Sequence, residues 1–410
     1  MFEDSLGNLG MPSKELDNTE LLFEDYFWNK VLGHGIDKGF KIVDMSYFTL
    51  PSNRKRILGK IIRCEWEFGI PRIAKIPKDD GGVREVYVLS KEARLIGYIV
   101  SEIYNWKFGH LISPNCDSYQ KGKSTHKTVK EIKDVKKVGV KVDISKYFDN
   151  VSIEHINKCL DLVDEDTPID WCVRDFYNEN LVEVDGKLVE RYKGLCQGSP
   201  LSAFLSNIAL RNLDDRLSKV CGFYRRYSDD ILALECDTSV VIAILEEELS
   251  KIGLCLNPDK FEFITEETEF KFLGYGVKGN DILISKKTMK EKKKEIKKIC
   301  SKSRSLREAI AKINRLLYKG KSPFLNWAYP KFRTITNSDR LNELDKYIKD
   351  CLRWSQTGKR NFTHNRNKVP DDMLRDNGYV SLKHMYNIAL IGGSIWEQAV
   401  CNVLNNIPIN

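Results

Sequence analysis

The chain has 410 residues, a formal charge of +8 and ordinary apolar and charged fractions of 42% and 30%. That length supports a large core and two or three sub-domains, and the composition excludes a disordered, collagenous or disulfide-scaffold protein. The eleven cysteines are scattered with no C-x-x-C pair, and the six histidines have no ligand-like spacing, so free thiols in a reducing compartment are expected rather than disulfides or zinc.

The first 25 residues are acidic and begin "MFEDSLGNLG", without a basic leader or an apolar run. No apolar run reaches membrane-spanning length, so the expectation is a cytoplasmic protein without membrane contact. Residues 1–20 read as a flexible arm. "VREVYVLS" (Val83 to Ser90) alternates as a strand behind the turn "KDDGG", and "KEARLIGYIVSEIYNWKF" has helical spacing. "KGKSTHKTVKEIKDVKK" (Lys121 to Lys137) is basic. In "VGVKVDI" (Val138 to Ile144) four aliphatic residues share one face, and Gly139, Lys141 and Asp143 share the other. Ser152 then heads a helix.

"GLCQGSPLSAFLSNIALRNLDDRL" reads as a loop feeding a helix, with Ser199 at the N-cap and Pro200 at the first helical position. "GFYRRY" and "ILALEC" flank Ser228, Asp229 and Asp230 as a hairpin. A helix from Val240, the strand-like "GLCLNPDKFEFI" and the hairpin "FKFLGYGVKGNDILIS" follow. From Lys286 onward the chain reads as helix, starting with the basic "KKTMKEKKKEIKKICSKSR". Clustered lysine suits a polyanionic partner, and a solvated helix face is the alternative.

Between residues 138 and 265 the order strand, helix, strand, strand, helix, strand suggests a split β-α-β sheet. Such a sheet lays the strand ending in Asp143 beside the hairpin bearing Asp229 and Asp230. Gathered carboxylates are costly as bare charges. Two Mg²⁺ ions, about 3.5–4 Å apart, would neutralise them and clamp the attacking and leaving oxygens of a phosphoryl transfer. Taken alone, the Asp pair also reads as a polar turn.

Its neighbours decide the matter. "YSDD" and "VDISKYFDNV" resemble the Y-x-D-D box and the first aspartate motif of reverse transcriptases. "GLCQGSPLSAFLSN" resembles their Q-G-x-P loop, "IGLCLNPDKFEF" the following G-L-x-L-N-x-x-K segment, and "FKFLGY" the primer-grip hairpin. "IPKDDGGVREVYVLSKEARLI" is similar to the fingers motif of retron, group II intron and phage-defence enzymes. The resemblance covers about residues 70–280.

It implies an α+β right-hand polymerase fold with a split β-α-β, ferredoxin-like palm. The implied divisions are an arm over 1–20, fingers over 21–137, a palm over 138–285 with a fingers-like insertion near 151–215, a helical thumb over 286–355 and a helical extension over 356–410. It implies RNA-directed DNA synthesis from dNTPs on an RNA template, with two Mg²⁺ ions or substituting Mn²⁺, at a metal site of Asp143, Ile144, Asp229 and Asp230. The three aspartates are the implied catalytic residues, and Lys78, Arg84, Phe148, Gln197 and Lys260 the implied nucleotide contacts. Phe148 is either a floor under the incoming sugar or a core aromatic, while Lys78 and Lys260 have a solvated surface as their alternative. Gly198, lacking a Cβ, is expected to let backbone approach a base pair. Phe272, Leu273, Gly274 and Tyr275 form the implied primer grip, and Lys292, Lys293, Lys297 and Lys298 are expected on nucleic acid. A short tail, no endonuclease-like cluster and "VKGNDILIS" where retron enzymes carry V-T-G together resemble the stand-alone phage-defence enzymes, whose template is a structured non-coding RNA. An intron-type maturase and template-free or protein-primed synthesis are the alternatives; primer and oligomeric state are not legible.

Overall fold

A computed structural model describes residues 10–77, 82–359 and 361–405. The chain forms two compact units, one from residues up to Lys121 with Val140–Phe261, the other from Gly122–Gly139 with Glu262 onward. This division differs from the expected boundaries at 137/138 and 285/286. The strands are β1 (Arg72–Pro77), β2 (Val83–Val88), β3 (Gly139–Asp143), β4 (Leu181–Val184), β5 (Lys187–Glu190), β6 (Phe223–Tyr227), β7 (Asp230–Leu234), β8 (Glu262–Ile264), β9 (Phe270–Phe272), β10 (Tyr275–Lys278) and β11 (Asp281–Ile284). The mixed α+β class is as expected.

In the first unit, one sheet runs β2-β1-β4-β5, with β1 parallel to β4 and both outer pairs antiparallel. The second sheet runs β6-β7-β3. After β7, the helix Thr238–Lys251 returns the chain to β3, where Leu256 bridges Ile144 in antiparallel sense. Ser145 N–H donates to Cys255 O (2.9 Å) and Asn257 N–H to Asp143 O (2.8 Å), while the intervening Ile144 N–H donates to Asp229 O (3.1 Å). Alternate residues therefore bond to opposite sides, so β3 is interior and the connection is split β-α-β. Both faces of β3 are covered, and all of Gly139–Asp143 is buried.

The helix Lys91–Phe108 matches the expected span, with Leu95, Ile96, Ile99, Val100 and Ile103 buried at helical spacing. The arm ends earlier than residue 20: Asn18–Leu21 is a helix, and Asn18 Nδ2 donates to Val163 O (2.8 Å) and Asp170 Oδ1 (2.9 Å). Asp17 and Glu20 close a capping box there, a local signal present in the sequence. Pro258–Lys260 is a short 3₁₀ turn rather than strand, because proline supplies no ladder N–H.

One expectation about the loop before the helix Pro200–Ile208 changes. Ser199 occupies the N-cap position, yet its hydroxyl makes no capping bond and is buried without a partner among the described residues. The neighbouring backbone approaches β2 closely: Tyr87 N–H donates to Gln197 O (2.8 Å), pinning the loop. Gly198 sits at φ +106°, and an added Cβ would lie 2.4 Å from Val86 Cγ1 and 3.1 Å from Tyr87 O.

In the second unit, β9, β10 and β11 make an antiparallel meander. It is followed by helices that include Lys286–Lys302, Leu306–Tyr318, Asp339–Thr357, Leu382–Ile391 and Gly393–Leu404. Leu306, Ile310, Ile313 and Leu317 form the buried stripe read from the sequence.

Gly198→Ala is expected to destabilise the first unit by about 1–3 kcal/mol, through strain at positive φ and overpacking against β2. Urea unfolding of the variant against wild type measures it.

Candidate active site

Tyr227 and Asp230 close the β6–β7 ladder, leaving Ser228 and Asp229 as a two-residue turn. Ser228 has φ +59°, a conformation that such turns ordinarily give to glycine. A strained serine persists only where its surroundings over-determine it. Here its N–H donates to Ser118 Oγ (3.0 Å), and its carbonyl accepts from Arg226 Nη1 (3.2 Å).

Arg226 is fully buried. Its Nε and Nη2 donate to Asp214 Oδ1 (2.7 Å) and Oδ2 (2.6 Å), and Nη2 also donates to Asn207 O (2.9 Å). Tyr224 Oη donates to Asp214 Oδ1 (2.6 Å), so the carboxylate is satisfied on both oxygens. Asn207 exchanges two bonds with Ser118, each 2.8 Å. The main chain of Arg226 bonds to Asn115 O (2.9 Å) and from Asp117 N–H (2.8 Å). One buried, bidentate guanidinium thus ties the carboxylate hairpin to the helices Pro200–Ile208 and Arg211–Val220. Reading the sequence for carboxylates missed this network. Its signal was a pair of arginines on a strand, one of which must face inward by alternation.

β3 delivers Asp143 beside this turn. Asp143 is buried, accepting from Lys260 Nζ (2.7 Å) and, at the long limit, from Asn257 Nδ2 (3.4 Å). Burial, and then the charge of Asp143, push the Asp229 carboxyl up from its ordinary range. Asp230 is pushed up to about 6 by burial and by Asp229 and Asp143, against the opposing pull of Lys141 and Lys260. Burial alone would lower the Lys260 ammonium, but its hydrogen bond to Asp143 and the field of the three aspartates outweigh that and raise it. Negative charge therefore exceeds what nearby lysines neutralise.

The donor set is hard carboxylate oxygen, which suits Mg²⁺ or Mn²⁺. Among the described residues, no three His, Cys, Asp or Glu side chains are grouped closely enough to enclose an ion on their own. Were a cation such as Mg²⁺ bound here, Asp143, Asp229 and Asp230 would be the carboxylates to hold it, with water and phosphate oxygens completing its shell.

Lys78 lies outside the described residues. Arg84 is exposed on β2, within electrostatic range of Tyr119, which hydrogen-bonds Ser228. Phe148 is half-buried, its ring 5.5 Å from that of the fully buried Tyr147. Gln197 is half-buried, with its carbonyl committed to Tyr87. Ile144 is buried between Asp229 and Leu256.

The remaining predicted residues belong to the second unit. Phe272 and Tyr275 are buried, and Leu273 (φ +47°) and Gly274 (φ +86°) form the turn between them. The Tyr275 hydroxyl bonds His126 Nδ1, and Lys331 lies 5.0 Å over its ring. Burial, with Lys331 and Lys130 nearby, lowers His126 to about 4, so it is neutral at pH 7. On the helix Lys286–Lys302, Met289, Ile296 and Cys300 face inward. Lys292 pairs with Glu295 (2.6 Å) and stacks on Trp327, and Lys293 pairs with Glu343 and stacks on Tyr347. These two lysines flank the buried stripe and serve internal contacts, whereas Lys297 and Lys298 are exposed.

Residues 76–277 match the family described as reverse transcriptase (RNA-dependent DNA polymerase), so the chain carries a reverse transcriptase domain. Over 165 residues, 40% of this chain, it is 24% identical to the putative COX1/OXI3 intron 1 protein of Saccharomyces cerevisiae, and it spans only 20% of that relative's length. Among solved structures, it is similar to Candida albicans telomerase in complex with a telomeric RNA fragment, at 14% identity and a TM-score of 0.41, covering 85% of this chain and 68% of that one. The RNA-dependent RNA polymerase of a human picorbirnavirus gives 12% identity and a TM-score of 0.48, covering 79% and 64%. At TM-scores below 0.5, these likenesses carry no argument.

Arg226→Met leaves Asp214 buried without its cation and is expected to cost about 3–5 kcal/mol. Adding Asp214→Leu should recover part of that loss, and denaturant unfolding of the single and double variants compares them.

Asp230 ionises near 6 in the folded chain, against an ordinary value of 3.8. Between those values the folded state holds more protons than the unfolded one, so this group's contribution to stability falls as pH rises through that window. The stability gained by Asp230→Asn over wild type, in EDTA, should therefore be small at pH 4 and larger at pH 7. Urea midpoints at the two pH values measure the difference.

Proposed function

We propose that the protein is an RNA-directed DNA polymerase. The observation that carries the reading is the convergence of Asp143, Asp229 and Asp230 within a reverse transcriptase domain, at a density of negative charge that the nearby lysines leave uncompensated. A primer 3′-OH attacks the α-phosphorus of a dNTP, the new P–O bond forms as the bond to pyrophosphate breaks, and pairing with an RNA template selects the base. Divalent cations, two Mg²⁺ or substituting Mn²⁺, would neutralise the carboxylates and stabilise the charge that develops on the transferring phosphate.

In this reading Asp143 and Asp229 hold the cations, with Asp230 as a third carboxylate and the Ile144 main chain beside them. Lys78 and Arg84 meet the triphosphate, and Gln197 lies near the nascent pair. Lys260, already on Asp143 through its ammonium, is placed to supply a proton to departing pyrophosphate. The Leu273–Gly274 turn would meet the primer, with Phe272 and Tyr275 holding it from inside. Of the four lysines, Lys297 and Lys298 are the ones free to face a nucleic-acid backbone. We assign fingers, palm, thumb and C-terminal extension to the ranges given above, with a structured non-coding RNA as template and antiphage defence in the cytoplasm as the setting.

A second reading has one observation behind it. The Saccharomyces cerevisiae relative is named as an intron protein, which favours an intron-type maturase that binds its own RNA. Sequencing the RNA that co-purifies with the chain separates the two: flanking intron sequence supports the maturase, and an unrelated small RNA supports the polymerase.

Asp229→Ala with Asp230→Ala is expected to reduce dNTP incorporation on an RNA template at least about 100-fold. The fold and RNA binding should survive, with metal-free stability equal to wild type or higher because like-charge repulsion is relieved. Full activity in that variant would end the assignment. Phe148→Val distinguishes a sugar floor from a core aromatic. As a floor, its loss admits ribonucleotides while dNTP use falls less; as core, both substrates fall together with a loss of stability approaching about 3–5 kcal/mol. Competing dNTP and rNTP incorporation, run beside thermal melting, decides it.

A further inference from the structure

A cavity of about 460 Å³ opens in the second unit, lined by the helix Asp339–Thr357, by Lys297 of the helix Lys286–Lys302 and by the segment around Lys359. That volume suits one small ligand. Its lining departs from what helix packing alone would select. Leu344, Ile348 and Leu352 are buried in the core. Tyr347, Asp350 and Trp354, spaced i, i+3, i+7, share another face and line the cavity as half-buried side chains.

The polar groups divide into committed and uncommitted. Arg353 is buried, its Nε donating to Val369 O (3.0 Å) and its Nη2 bonded to Asp371, so it is a structural wall. Asp350 is ion-paired with Arg353 Nη1 at 3.8 Å, a distance too long for a hydrogen bond, so its carboxylate oxygens keep hydrogen-bonding capacity for a ligand. The ammonium groups of Lys297 and Lys359 have no ion pair or hydrogen bond among the described residues. The Lys359 segment is nonetheless held: Asn365 Nδ2 donates to Lys359 O (2.8 Å), Asn365 Oδ1 accepts from Thr357 Oγ1 (2.6 Å), and Gly358 N–H closes on Trp354 O (2.9 Å). The cavity thus joins flat aromatic faces, two unpaired cations and one open acceptor on fixed backbone.

We propose that this cavity binds a single guanine nucleotide, with the base stacked on Trp354 or Tyr347, the phosphate at Lys297 and Lys359, and Asp350 accepting the N1–H and N2–H pair of the base edge. Aromatic faces hold any base by stacking, and the lysines hold any phosphate. The carboxylate supplies the choice. Guanine offers two adjacent N–H donors to its two acceptors, whereas adenine and cytosine each set a ring-nitrogen acceptor beside the amino group and would repel it. A free guanine nucleotide and a guanosine extruded from bound RNA present the same chemistry. None of these residues belongs to the carboxylate site; Lys297 alone is shared with the proposed nucleic-acid contacts, so the carboxylate variants are what separate the two assignments.

The test uses the full chain, titrated calorimetrically with GMP, AMP and inorganic phosphate, together with photocrosslinking to RNA containing 6-thioguanosine. GMP is expected to bind at least about tenfold tighter than AMP, and Lys297→Gln or Trp354→Ala should weaken it about tenfold. Asp350→Asn should abolish the preference for GMP over AMP, and Asp229→Ala with Asp230→Ala should leave GMP binding unchanged, which separates this cavity from the polymerase site. GMP binding without a crosslink identifies a free nucleotide as the ligand, and a crosslink to the Tyr347–Trp354 face without GMP binding identifies an extruded guanosine. Neither signal, or GMP binding indifferent to Lys297→Gln and Asp350→Asn, overturns the proposal; both variants alter partly exposed side chains and preserve the fold.

Discussion

The site depends on one buried ion pair. Arg226 and Asp214 are each completely enclosed, and the guanidinium makes four hydrogen bonds, two to Asp214 and one each to Asn207 O and Ser228 O. A buried pair of this kind is weak evidence for net stability, because desolvation offsets much of the attraction. What it supplies is geometry. The bonds from Arg226 and Ser118 hold Ser228 at a positive φ that serine does not choose, and that turn fixes where Asp229 and Asp230 leave the hairpin. A network satisfied at every member tolerates little displacement, so the carboxylates are presented rigidly.

Rigidity matters because the three aspartates repel. The burial that holds them in place also raises Asp229 and Asp230, and Lys260 on Asp143 offsets only part of the charge. A flexible loop would relieve the repulsion by moving apart; a hairpin anchored through Arg226 holds the carboxylates in place. Pre-organised electrostatics is the form of catalysis that phosphoryl transfer rewards most.

Much of this was legible in the sequence where local chemistry dictates structure. The helix Lys91–Phe108, the β6–β7 hairpin and the stripe on Leu306–Tyr318 follow from periodicity and turn residues. The carboxylates were legible because acidic residues on a strand end and a hairpin demand a reason. Long-range pairing was not: β4 and β5 join β1 and β2 across about a hundred residues, which no local pattern encodes. At Gly198 the absence of a Cβ also makes room for Val86, because a close backbone approach looks the same in sequence whichever neighbour arrives. Lys292 and Lys293 were read as nucleic-acid contacts, with a solvated helix face as the alternative; their aromatic partners Trp327 and Tyr347 lie 35 and 54 residues on and could not be assigned in advance. Arg226 was passed over because a buried charge is inferred only when its partner is known, and Asp214 sits on the helix Arg211–Val220 rather than on the β6–β7 hairpin.

The central claim is that Asp143, Asp229 and Asp230 are held in a repulsion that divalent cations relieve. A thermal melt of the full chain at pH 7, titrated with Mn²⁺ from zero to millimolar concentration, tests it without requiring template or primer. Binding to the folded state alone must raise the midpoint progressively. The account predicts that rise in wild type and its disappearance in Asp143→Asn combined with Asp229→Asn. A wild-type midpoint indifferent to Mn²⁺, or an equal rise in the double variant, would contradict it.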